Sequence, residues 1–274
     1  MTPLRPGLFE GERAIITGGG TGIGLAIAGE LVQLGANVAI CGRRPEVLEA
    51  AKEELAAARD GATVFAAPCD IRDDEAVATY VKAATEALGG LDMLVNNAGG
   101  QFPAPAQHIS PKGFDAVVRN NLLGTWRVIH AVANHVFLPQ KRGRIVNITA
   151  EVSRGFPGMS HTGAARAGVQ NLTQSLAVEW AAHGVRVNAV APGIIRTIGT
   201  KQYPSSLLEG MVDATPLRRL GDAREVSHVV CFLLAPTSDY LTGQTITIDG
   251  GAALWGDGWK IPEDVPQFPP YGKQ

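Results

Sequence analysis

TGGGTGIG, at residues 17–24, is the stretch that decides the fold, because of what stands on either side of it. The run ERAIITG at 12–18 is rich in β-branched residues and predicts a strand, and the run LAIAGELVQLG at 25–35 has a helical period. Glycines between a strand and a helix allow a tight turn, and they let the backbone approach a pyrophosphate at the N-terminus of the helix. The stretch therefore predicts a dinucleotide-binding turn whose candidate contacts are Gly18, Gly20, Thr21, Gly22, Ile23 and Gly24.

Short β-branched runs alternate with longer alanine- and leucine-rich runs along most of the chain. This alternation is typical of strand and helix units that feed a parallel sheet. The strand candidates are ERAIITG, ANVAICG, ATVFAAP, LDMLVNN, GRIVNIT, VRVNAVA and QTITIDG. We predict one α/β domain at residues 1–251, built on a doubly wound parallel sheet of seven strands.

The last residues of the chain break this alternation. Residues 252–274 are rich in proline and predict an irregular tail that packs on the domain or on a neighbouring subunit. Trp255 and Trp259 in the tail either wall an acyl pocket or pack across a subunit boundary, and the sequence leaves both alternatives open.

Composition excludes several classes of partner. The 24 basic and 26 acidic residues are interspersed, so there is no basic stripe for nucleic acid. No apolar run approaches the roughly 20 residues that span a bilayer, and none at the N-terminus resembles a signal peptide. The widely spaced Cys41, Cys69 and Cys231 fit reduced packing residues better than metal ligands. We expect a soluble, cytoplasmic protein with no metal site and no nucleic-acid or membrane partner.

The second predicted strand ends in VAICGRRPEV at 38–47, where an adenosine ribose is expected to lie. Nicotinamide enzymes selective for the unphosphorylated cofactor carry Asp or Glu there. This chain has Gly42, followed by Arg43 and Arg44. Guanidinium groups pair with a 2′-phosphate, so the pattern predicts NADP(H) as the cofactor. The alternative interpretation is a solvated basic turn that binds no ligand. This arrangement is electrostatically unfavourable, because it places cations at a helix N-terminus, where they oppose the helix dipole.

Further motifs follow the glycine-rich turn in a fixed order. They are CDI at 69–71, LVNNAGG at 94–100, NNLLGT at 120–125, GRIVNIT at 143–149, APGIIRT at 191–197 and LTGQTITIDGG at 241–251. Together they resemble the short-chain dehydrogenase/reductase family over nearly the whole chain. The resemblance implies a single-domain Rossmann fold and an oxidoreductase that assembles as a homotetramer or homodimer.

The resemblance also implies which residues line the cofactor. The expected contacts are Asp70 and Ile71 beside the adenine, Asn97, Ala98 and Gly99 along the cofactor, and Pro192, Gly193, Ile195 and Thr197 at the nicotinamide carboxamide.

The catalytic residues of the family are matched only in part. Asn121 matches the asparagine of its proton relay. Its tyrosine and lysine stand four residues apart, and this chain has Thr162 and Arg166 there, in MSHTGAARAGVQNLT at 159–173. Its serine lies 13 positions before the tyrosine and corresponds to Thr149. Since a guanidinium donates well to a diol, Arg166 can keep the lysine's role of binding the nicotinamide ribose.

GGQFPAP at 99–105 resembles one branch of the family, the peroxisomal trans-2-enoyl-CoA reductases, together with the 2,4-dienoyl-CoA reductases. In the dienoyl enzymes the residue that matches Gln101 is an asparagine that hydrogen-bonds the thioester carbonyl of the substrate. The catalytic tyrosines of this branch correspond to Glu151 and Gln170, so neither phenol is present.

Conjugate reduction suits a site without a phenol better than carbonyl reduction does. Reduction of a ketone forms an alkoxide, which needs a positioned acid. Reduction at Cβ of an enoyl thioester moves charge onto the thioester oxygen, where neutral donors are worth about 3 kcal/mol each in a dry site. We therefore predict an NADPH-dependent reductase of enoyl or dienoyl thioesters, with Gln101 and Thr162 as donors and water as the proton source.

Two other functions stay open. A carbonyl reductase or alcohol dehydrogenase would use His161, Tyr203 or Glu151 in place of the tyrosine. We expect instead that His161 begins or packs a helix, that Glu151 lies at a rim, and that Tyr203 belongs to a mobile lid. The third function is a nucleotide-binding protein that has lost turnover and acts through its oligomeric surface.

Overall fold

Strands and helices alternate along residues 4–202 and 205–254, which the computed structural model describes. The strands are β1 (Arg13–Thr17), β2 (Asn37–Gly42), β3 (Val64–Pro68), β4 (Met93–Asn96), β5 (Gly143–Ile148), β6 (Val185–Pro192), β7 (Ile195–Arg196), β8 (Gly221–Asp222) and β9 (Thr245–Ile248). The α-helices are α1 (Gly22–Gln33), α2 (Pro45–Ala57), α3 (Asp74–Leu88), α4 (Pro111–Val118), α5 (Gly124–Val132), α6 (Leu138–Gln140), α7 (Ser160–Trp180), α8 (Ser205–Asp213) and α9 (Ala223–Leu234). Tyr203, Trp255 and Trp259 lie outside the described residues.

Seven of these strands form one parallel sheet, in the order β3-β2-β1-β4-β5-β6-β9. Each of them overlaps one of the predicted runs, so the predicted Rossmann architecture is confirmed. The chain builds β2 and β3 on one side of β1 and then crosses to β4 on the other side. In open parallel sheets a ligand crevice lies at the carboxyl ends of the strands where the order reverses in this way. The topology therefore places the site beyond β1 and β4.

Helices cover both faces of the sheet and give it two separate hydrophobic clusters. Ile16 and Ile40 belong to a cluster with side chains of α1 and α9. Ile15 and Ala39 belong to the opposite cluster, with side chains of α3, α5 and α7. Since successive side chains of a strand point to opposite faces, unbroken apolar strands are expected in a sheet that is covered on both sides.

β7 and β8 form a second, two-stranded parallel sheet that the sequence did not predict. Ile195 pairs with Gly221, and a Cβ atom at Gly221 would collide with the Ile195 side chain. Two-residue strands are too short for an alternating pattern to appear in the sequence. The pairing leads the chain from β6 to Thr197, beside the start of α1.

The helices α4, α5 and α6 follow one another through two π-helical turns, at Arg119–Leu123 and Ala133–Phe137. A π-helical turn inserts an extra residue into a helix and is frequent at functional sites. The first of these turns contains Asn121. Among the described helices, none combines the length and apolar character that crossing a membrane requires.

Candidate active site

A cleft of about 530 Å³ opens at the carboxyl ends of β1 to β4, where the topology places it. It brings together residues that are far apart in the sequence. The predicted cofactor residues on its walls are Gly18, Gly20, Thr21, Gly22, Ile23, Arg43, Arg44, Asp70, Ile71, Asn97, Ala98, Gly99 and Thr197.

The ends of β1 and β4 are joined by a small hydrogen-bond network. The Thr17 hydroxyl oxygen accepts the backbone N–H groups of Asn97 and Ala98, both at 3.0 Å. In return, the Asn97 amide donates to the carbonyls of Thr17 and Gly18, each at 3.1 Å. These bonds fix the position of residues 97–99 relative to the glycine-rich turn. Thr17 was missed by the sequence analysis, since only the pairing of β1 with β4 gives it this role.

The glycine-rich turn forms a cradle that side chains would fill. Gly18 has φ +65°, in the left-handed region that favours glycine. A Cβ atom at Gly24 would collide with the Gly18 carbonyl oxygen, so Gly24 lets α1 pack directly on the turn. Thr21 precedes α1 without capping it through its side chain, which leaves the first N–H groups of the helix for a ligand. A cradle of this kind at a helix N-terminus fits the pyrophosphate of a dinucleotide.

The adenosine end of the cleft is rich in guanidinium groups. Arg43 and Arg44 are exposed on its wall. Asp70 accepts hydrogen bonds from the backbone N–H and the guanidinium of Arg72, among them Nε to Oδ1 at 2.9 Å and Nη2 to Oδ2 at 2.5 Å. These bonds from Arg72, with a smaller contribution from Arg43, lower the pKa of Asp70 to about 2. The Asp70 carboxylate is thus paired with Arg72 beside two further cations.

At the other end of the cleft, Gly99 lies against two buried side chains. A Cβ atom at Gly99 would lie 2.6 Å from Oδ1 of Asn121 and would collide with the Arg166 guanidinium. The Asn121 amide donates to the carbonyls of Gly100 and Val117, at 2.7 and 2.9 Å. The N–H of Gly100 donates back to Asn121 Oδ1 at 3.3 Å. Asn121 therefore holds the segment that leads from β4 toward Gln101.

Arg166 is a buried cation behind this segment. Its Nη1 donates to the carbonyl of Ile148, at the end of β5, at 2.7 Å. Its Nε is buried and has no hydrogen-bond partner among the described residues. Burial lowers the pKa of Arg166 to about 10, so the group still carries its charge at neutral pH. The guanidinium atom nearest to Gly99 is Nη2, so Gly99 stands between the Arg166 cation and the cleft.

The Thr149 hydroxyl is engaged with the sheet. It donates to the carbonyl of Val190, at 3.1 Å. The Gln170 amide donates to the Ala150 carbonyl at 3.1 Å and reaches the Thr149 hydroxyl at 3.4 Å. Because the hydroxyl proton is donated to Val190 in β6, the Thr149 hydroxyl can accept a further hydrogen bond but is not free to donate one.

Thr162 and His161 lie in the first turn of α7 and are fully buried. The N–H of Thr162 donates to Nδ1 of His161 at 2.9 Å. The His161 ring packs edge to face on Phe102, with a centroid distance of 4.5 Å and an interplanar angle of 88°. Its Nε2 is buried without a hydrogen-bond partner among the described residues. The ring thus packs the start of α7 against the segment that carries Gln101.

Gln101 itself is exposed, and no hydrogen bond joins its side chain to Thr162 or to any other described residue. Its backbone neighbours are held, because Gly100 is bonded to Asn121 and Phe102 packs on His161. The N–H of Ala104 also donates to the Gly158 carbonyl, at 2.8 Å. The structure therefore fixes the backbone on both sides of Gln101 and leaves its side chain toward solvent.

Glu151 is held as a carboxylate. Burial acts to raise its pKa, but hydrogen bonds from Ser153 and Thr247 outweigh burial and lower the pKa. The Ser153 N–H donates to Oε1 at 2.7 Å and the Thr247 hydroxyl to Oε2 at 2.8 Å. A carboxylate with a lowered pKa has no proton to give near neutral pH.

Five predicted cofactor residues do not line the cleft wall. Gly24 and Arg166 lie behind it, as described above. In the segment after β6, the N–H of Gly193 donates to the Ile248 carbonyl at 3.0 Å, and a Cβ atom at Gly193 would lie 2.8 Å from the Cα of Asp249. Pro192, Gly193 and Ile195 thus support Thr197, which does line the cleft.

Some wall residues were not predicted. They are Cys41, Gly42, Val47, Leu48, Cys69, Asn120, Ile198 and Gly199. Adjacency to predicted residues could have found four of them, because Gly42 precedes Arg43, Cys69 precedes Asp70, Asn120 precedes Asn121 and Ile198 follows Thr197. Across residues 4–202 and 205–254, the structure places no group of three or more His, Cys, Asp or Glu side chains suitable for a metal ion.

Comparison with known proteins identifies the family. A family model described as enoyl-(acyl carrier protein) reductase matches residues 18–253. A probable 2,4-dienoyl-CoA reductase of Bacillus subtilis is 39% identical over 251 residues, which cover 90% of this chain and 98% of that protein. Gluconate 5-dehydrogenase of Gluconobacter oxydans is 35% identical over 256 residues, which cover 91% and 98%.

A solved structure, a citronellol catabolism dehydrogenase of Pseudomonas aeruginosa, is 44% identical and superposes with a TM-score of 0.82, covering 92% of this chain and 99% of that one. The glycine cradle, the parallel sheet and these similarities agree with one another. The chain belongs to the short-chain dehydrogenase/reductase family, whose members are oxidoreductases that use NAD(P)(H).

Proposed function

We propose that this protein is an NADPH-dependent reductase of enoyl or dienoyl thioesters, such as acyl-CoA. One observation carries the proposal: among the described residues, the reacting end of the cleft has amide, hydroxyl and guanidinium groups but no phenol. Tyr80 is buried in α3 and Tyr240 is fully exposed, while Tyr203 and Tyr271 lie outside the described residues. Neutral donors suffice for an enolate, whereas a developing alkoxide calls for an acid.

The cofactor supplies a hydride when it is bound. Arg43 and Arg44 would pair with its 2′-phosphate, since both are exposed on the cleft wall and guanidinium groups match phosphate oxygens. Arg166 would donate to the nicotinamide ribose hydroxyls from behind Gly99, where its Nη2 is the nearest guanidinium atom. These three arginines would therefore set which cofactor binds and how it is oriented.

Gln101 is the proposed donor to the thioester oxygen. Its two backbone neighbours are held by Asn121 and His161, which limits the directions its amide can take. Thr162 is the proposed second donor, at the start of α7. Asn121 and Thr149 complete the proposed catalytic set by holding the ends of β4 and β5 in place.

Water is the proposed source of the final proton. The lowered pKa of Glu151 leaves it ionised near neutral pH, so it supplies no acid. Protonation on carbon follows charge transfer to oxygen, and it does not require an acid in contact with the thioester. The names of the dienoyl-CoA reductase relative and of the matching family model agree with this reaction class.

A second candidate is oxidation of an alcohol or reduction of a ketone. The gluconate 5-dehydrogenase and citronellol catabolism dehydrogenase relatives favour it. His161 would then be the acid, since its Nε2 is buried and has no partner among the described residues. The third candidate is a nucleotide-binding protein without turnover, which would bind NADPH but would not oxidise it in the presence of any of these substrates.

A substrate panel separates these candidates. Purified protein is mixed with NADPH and an enoyl-CoA, a dienoyl-CoA, a ketone or buffer, and NADPH consumption is followed by absorbance. We expect turnover with the thioesters and little with the ketone. Ketone turnover without thioester turnover selects the dehydrogenase, and NADPH binding without consumption across the whole panel selects the non-catalytic protein.

Gln101→Ala tests the donor directly. Loss of one oxyanion donor lowers turnover by about 10²-fold, so we expect that loss for thioester reduction with NADPH affinity nearly unchanged. The matched control is Gln107→Ala, at an exposed position of the short 3-10 helix Ala106–His108. Equal thioester turnover by the two variants would reject Gln101 as the donor.

We also propose that the protein is a homotetramer or homodimer. Leu123 and Trp126 each expose 38% of their surface and line one groove with side chains of α3. Large apolar side chains grouped on one surface favour association. Light scattering on the full chain would give a single-subunit mass if this proposal is wrong.

A further inference from the structure

A negative charge lies at the adenosine end of the cleft, among the cations that would bind a phosphate. Asp70 lines the cleft wall, as Arg43 and Arg44 do. The N–H of Cys69 donates to the Gly42 carbonyl at 2.8 Å, where the parallel pairing of β2 and β3 ends. Arg43 and Asp70 are the next residues along the chain, so they leave the two strands side by side. A phosphate that reaches Arg43 therefore also comes close to the Asp70 carboxylate.

Arg72 engages both oxygens of this carboxylate. Its backbone N–H and its Nε donate to Oδ1 of Asp70, at 3.0 and 2.9 Å. Nε also reaches Oδ2 at 3.1 Å, and Nη2 donates to Oδ2 at 2.5 Å. A planar guanidinium that bonds a carboxylate through two nitrogens fixes the geometry of the ion pair. The same bonds lower the pKa of Asp70 to about 2, so its charge is balanced by Arg72 and not by a proton.

We propose that Arg72 determines cofactor specificity together with Arg43 and Arg44: it holds Asp70 in an ion pair and thereby lets the adenosine end accept a phosphate on the ribose. Arg72 acts through Asp70, so it is a positioning residue. The inference rests on the proposed NADPH preference, and it does not depend on which substrate the protein reduces.

The ion pair predicts substitutions of opposite sign. Arg72→Gln removes the cation and leaves the Asp70 carboxylate unpaired, so a phosphate would be repelled and bind more weakly. Asp70→Asn removes the anion, keeps the shape of the side chain and leaves the Arg72 cation beside the phosphate, so the phosphate would bind more tightly. In the double variant both charges are gone, and binding should return close to that of the wild type.

Two small ligands isolate the adenosine end from the rest of the cleft. Adenosine 2′,5′-bisphosphate and adenosine 5′-monophosphate differ only in the 2′-phosphate, and neither carries a nicotinamide. Calorimetric titration of the full-length protein gives a dissociation constant for each ligand. The ratio of the two constants measures the preference for the 2′-phosphate, because contacts that both ligands share cancel. A residue that only stabilised the fold would change both constants alike and leave the ratio unaltered.

Arg142→Gln is the matched control, because it changes the net charge by the same amount as Arg72→Gln does. Arg142 also pairs with carboxylates, since its Nη2 lies 3.1 Å from Oε1 of Glu12 and 3.0 Å from Oδ1 of Asp92. It directly precedes β5, so it lies at the amino ends of the parallel strands, at the edge opposite the cleft. The control should keep the wild-type ratio of dissociation constants.

We expect Arg72→Gln to lower the preference for the bisphosphate about fivefold and Asp70→Asn to raise it by a similar factor, as for single charges near a solvent-exposed phosphate. Both differences from the wild type should shrink at about 1 M salt, where the Debye length falls to about 3 Å. Binding of the monophosphate by each variant shows that its adenosine end is folded.

Three results would overturn the inference: a wild-type ratio in Arg72→Gln, a lowered ratio in Asp70→Asn, or an equal loss of preference in Arg142→Gln and Arg72→Gln. Failure of the proposed cofactor preference gives a different result, namely equal binding of the two ligands by the unmodified protein. Arg72 is tested even then, because Arg72→Gln should favour the monophosphate. A thioester panel without turnover rejects the proposed reductase and leaves the role of Arg72 intact.

Discussion

The two ends of the cleft are built in different ways. The adenosine end is made of backbone and exposed charge, with the glycine cradle at Gly18, the guanidinium groups of Arg43 and Arg44, and an ionised Asp70. The reacting end is made of buried side chains that bond to one another and to strand carbonyls, as Arg166 does to Ile148. The first end can be disturbed by a single added methyl group or a removed charge. The second depends on a network in which each member positions the next.

This difference explains why the two ends respond differently to substitution. A collision between a side chain and a carbonyl has no low-energy remedy where backbone packs on backbone. A side-chain network can partly reorganise, and its members act together and not additively. Substitutions at the adenosine end should therefore act mainly on cofactor binding, and those at the reacting end mainly on turnover.

The largest effect is expected at Gly24. In Gly24→Val the new side chain would collide with the Gly18 carbonyl and force α1 away from the turn, so cofactor binding should be lost at concentrations that saturate the wild type. The control is Gly29→Ala in the same helix, where a Cβ atom meets only Leu55 Cδ2, at 3.8 Å. Calorimetric titration and thermal unfolding of both variants check this. Normal binding by Gly24→Val would contradict the packing described for the cradle.

The next effect concerns the choice of cofactor. Charge-assisted contacts are worth roughly 1.5–3 kcal/mol each, so replacing both Arg43 and Arg44 by Ala should cut NADPH affinity by roughly 10²-fold or more and leave NADH affinity nearly unchanged. Arg224→Ala, at an exposed position of α9, is the control. Dissociation constants for both cofactors provide the measurement. If the unmodified protein binds NADPH and NADH equally, the proposed specificity is wrong.

At the reacting end, Arg166→Ala should lower turnover by roughly 10²-fold, because misplacement by about 1 Å is enough for such a loss. Cofactor affinity should fall less. Arg166→Lys keeps a cation that can donate to a diol and should retain much of the activity. Steady-state rates and cofactor titrations of the two variants provide the comparison. Unchanged rate and affinity in Arg166→Ala would make Arg166 a purely structural helix charge.

The smallest effect is a dependence of stability on pH. Folding lowers the pKa of Asp70 from 3.8 to about 2, chiefly through Arg72, so this pair stabilises the fold fully above pH 4 and loses its effect as pH falls toward 2. Arg72→Ala should therefore be less stable than the wild type at pH 5, by less than about 1 kcal/mol because the pair is exposed to solvent. Denaturant unfolding at several pH values measures this. A difference that stays constant from pH 5 to pH 2 would show another cause.

The sequence predicted the sheet well because its strands are buried on both faces. Every residue of a strand such as β5 is buried, and Gly143 marks the position where this strand begins. The two-residue strands β7 and β8 escaped prediction since their pairing depends on contact between Ile195 and Gly221, which are far apart in the chain. Periodicity reports local burial and cannot report such a pairing.

The residues of the candidate site likewise fall into those predictable from local sequence and those that depend on contacts between distant segments. The glycine turn and Arg43 follow directly from local sequence, because a turn conformation and a charge are properties of a few consecutive residues. The role of Thr17 and the meeting of Arg166 with Asn121 at Gly99 were not predictable from local pattern, since each joins segments separated by many residues. The pKa of Glu151 is lowered chiefly by hydrogen bonds from Ser153, two residues away, and to a smaller extent by Thr247, which lies in the last strand of the sheet and could not be assigned this role from local sequence.

For this protein, the sequence by itself determined the alternation of strands and helices, the glycine cradle, the cationic edge of the cleft and the absence of tyrosine at position 162. Only the tertiary structure decided that Thr17 joins the ends of β1 and β4, that Arg166 is buried behind Gly99, and that His161 packs on Phe102. The physical reason is that backbone preference and charge are local, whereas burial, hydrogen-bond partnership and the resulting pKa depend on distant segments that the parallel sheet brings to one edge.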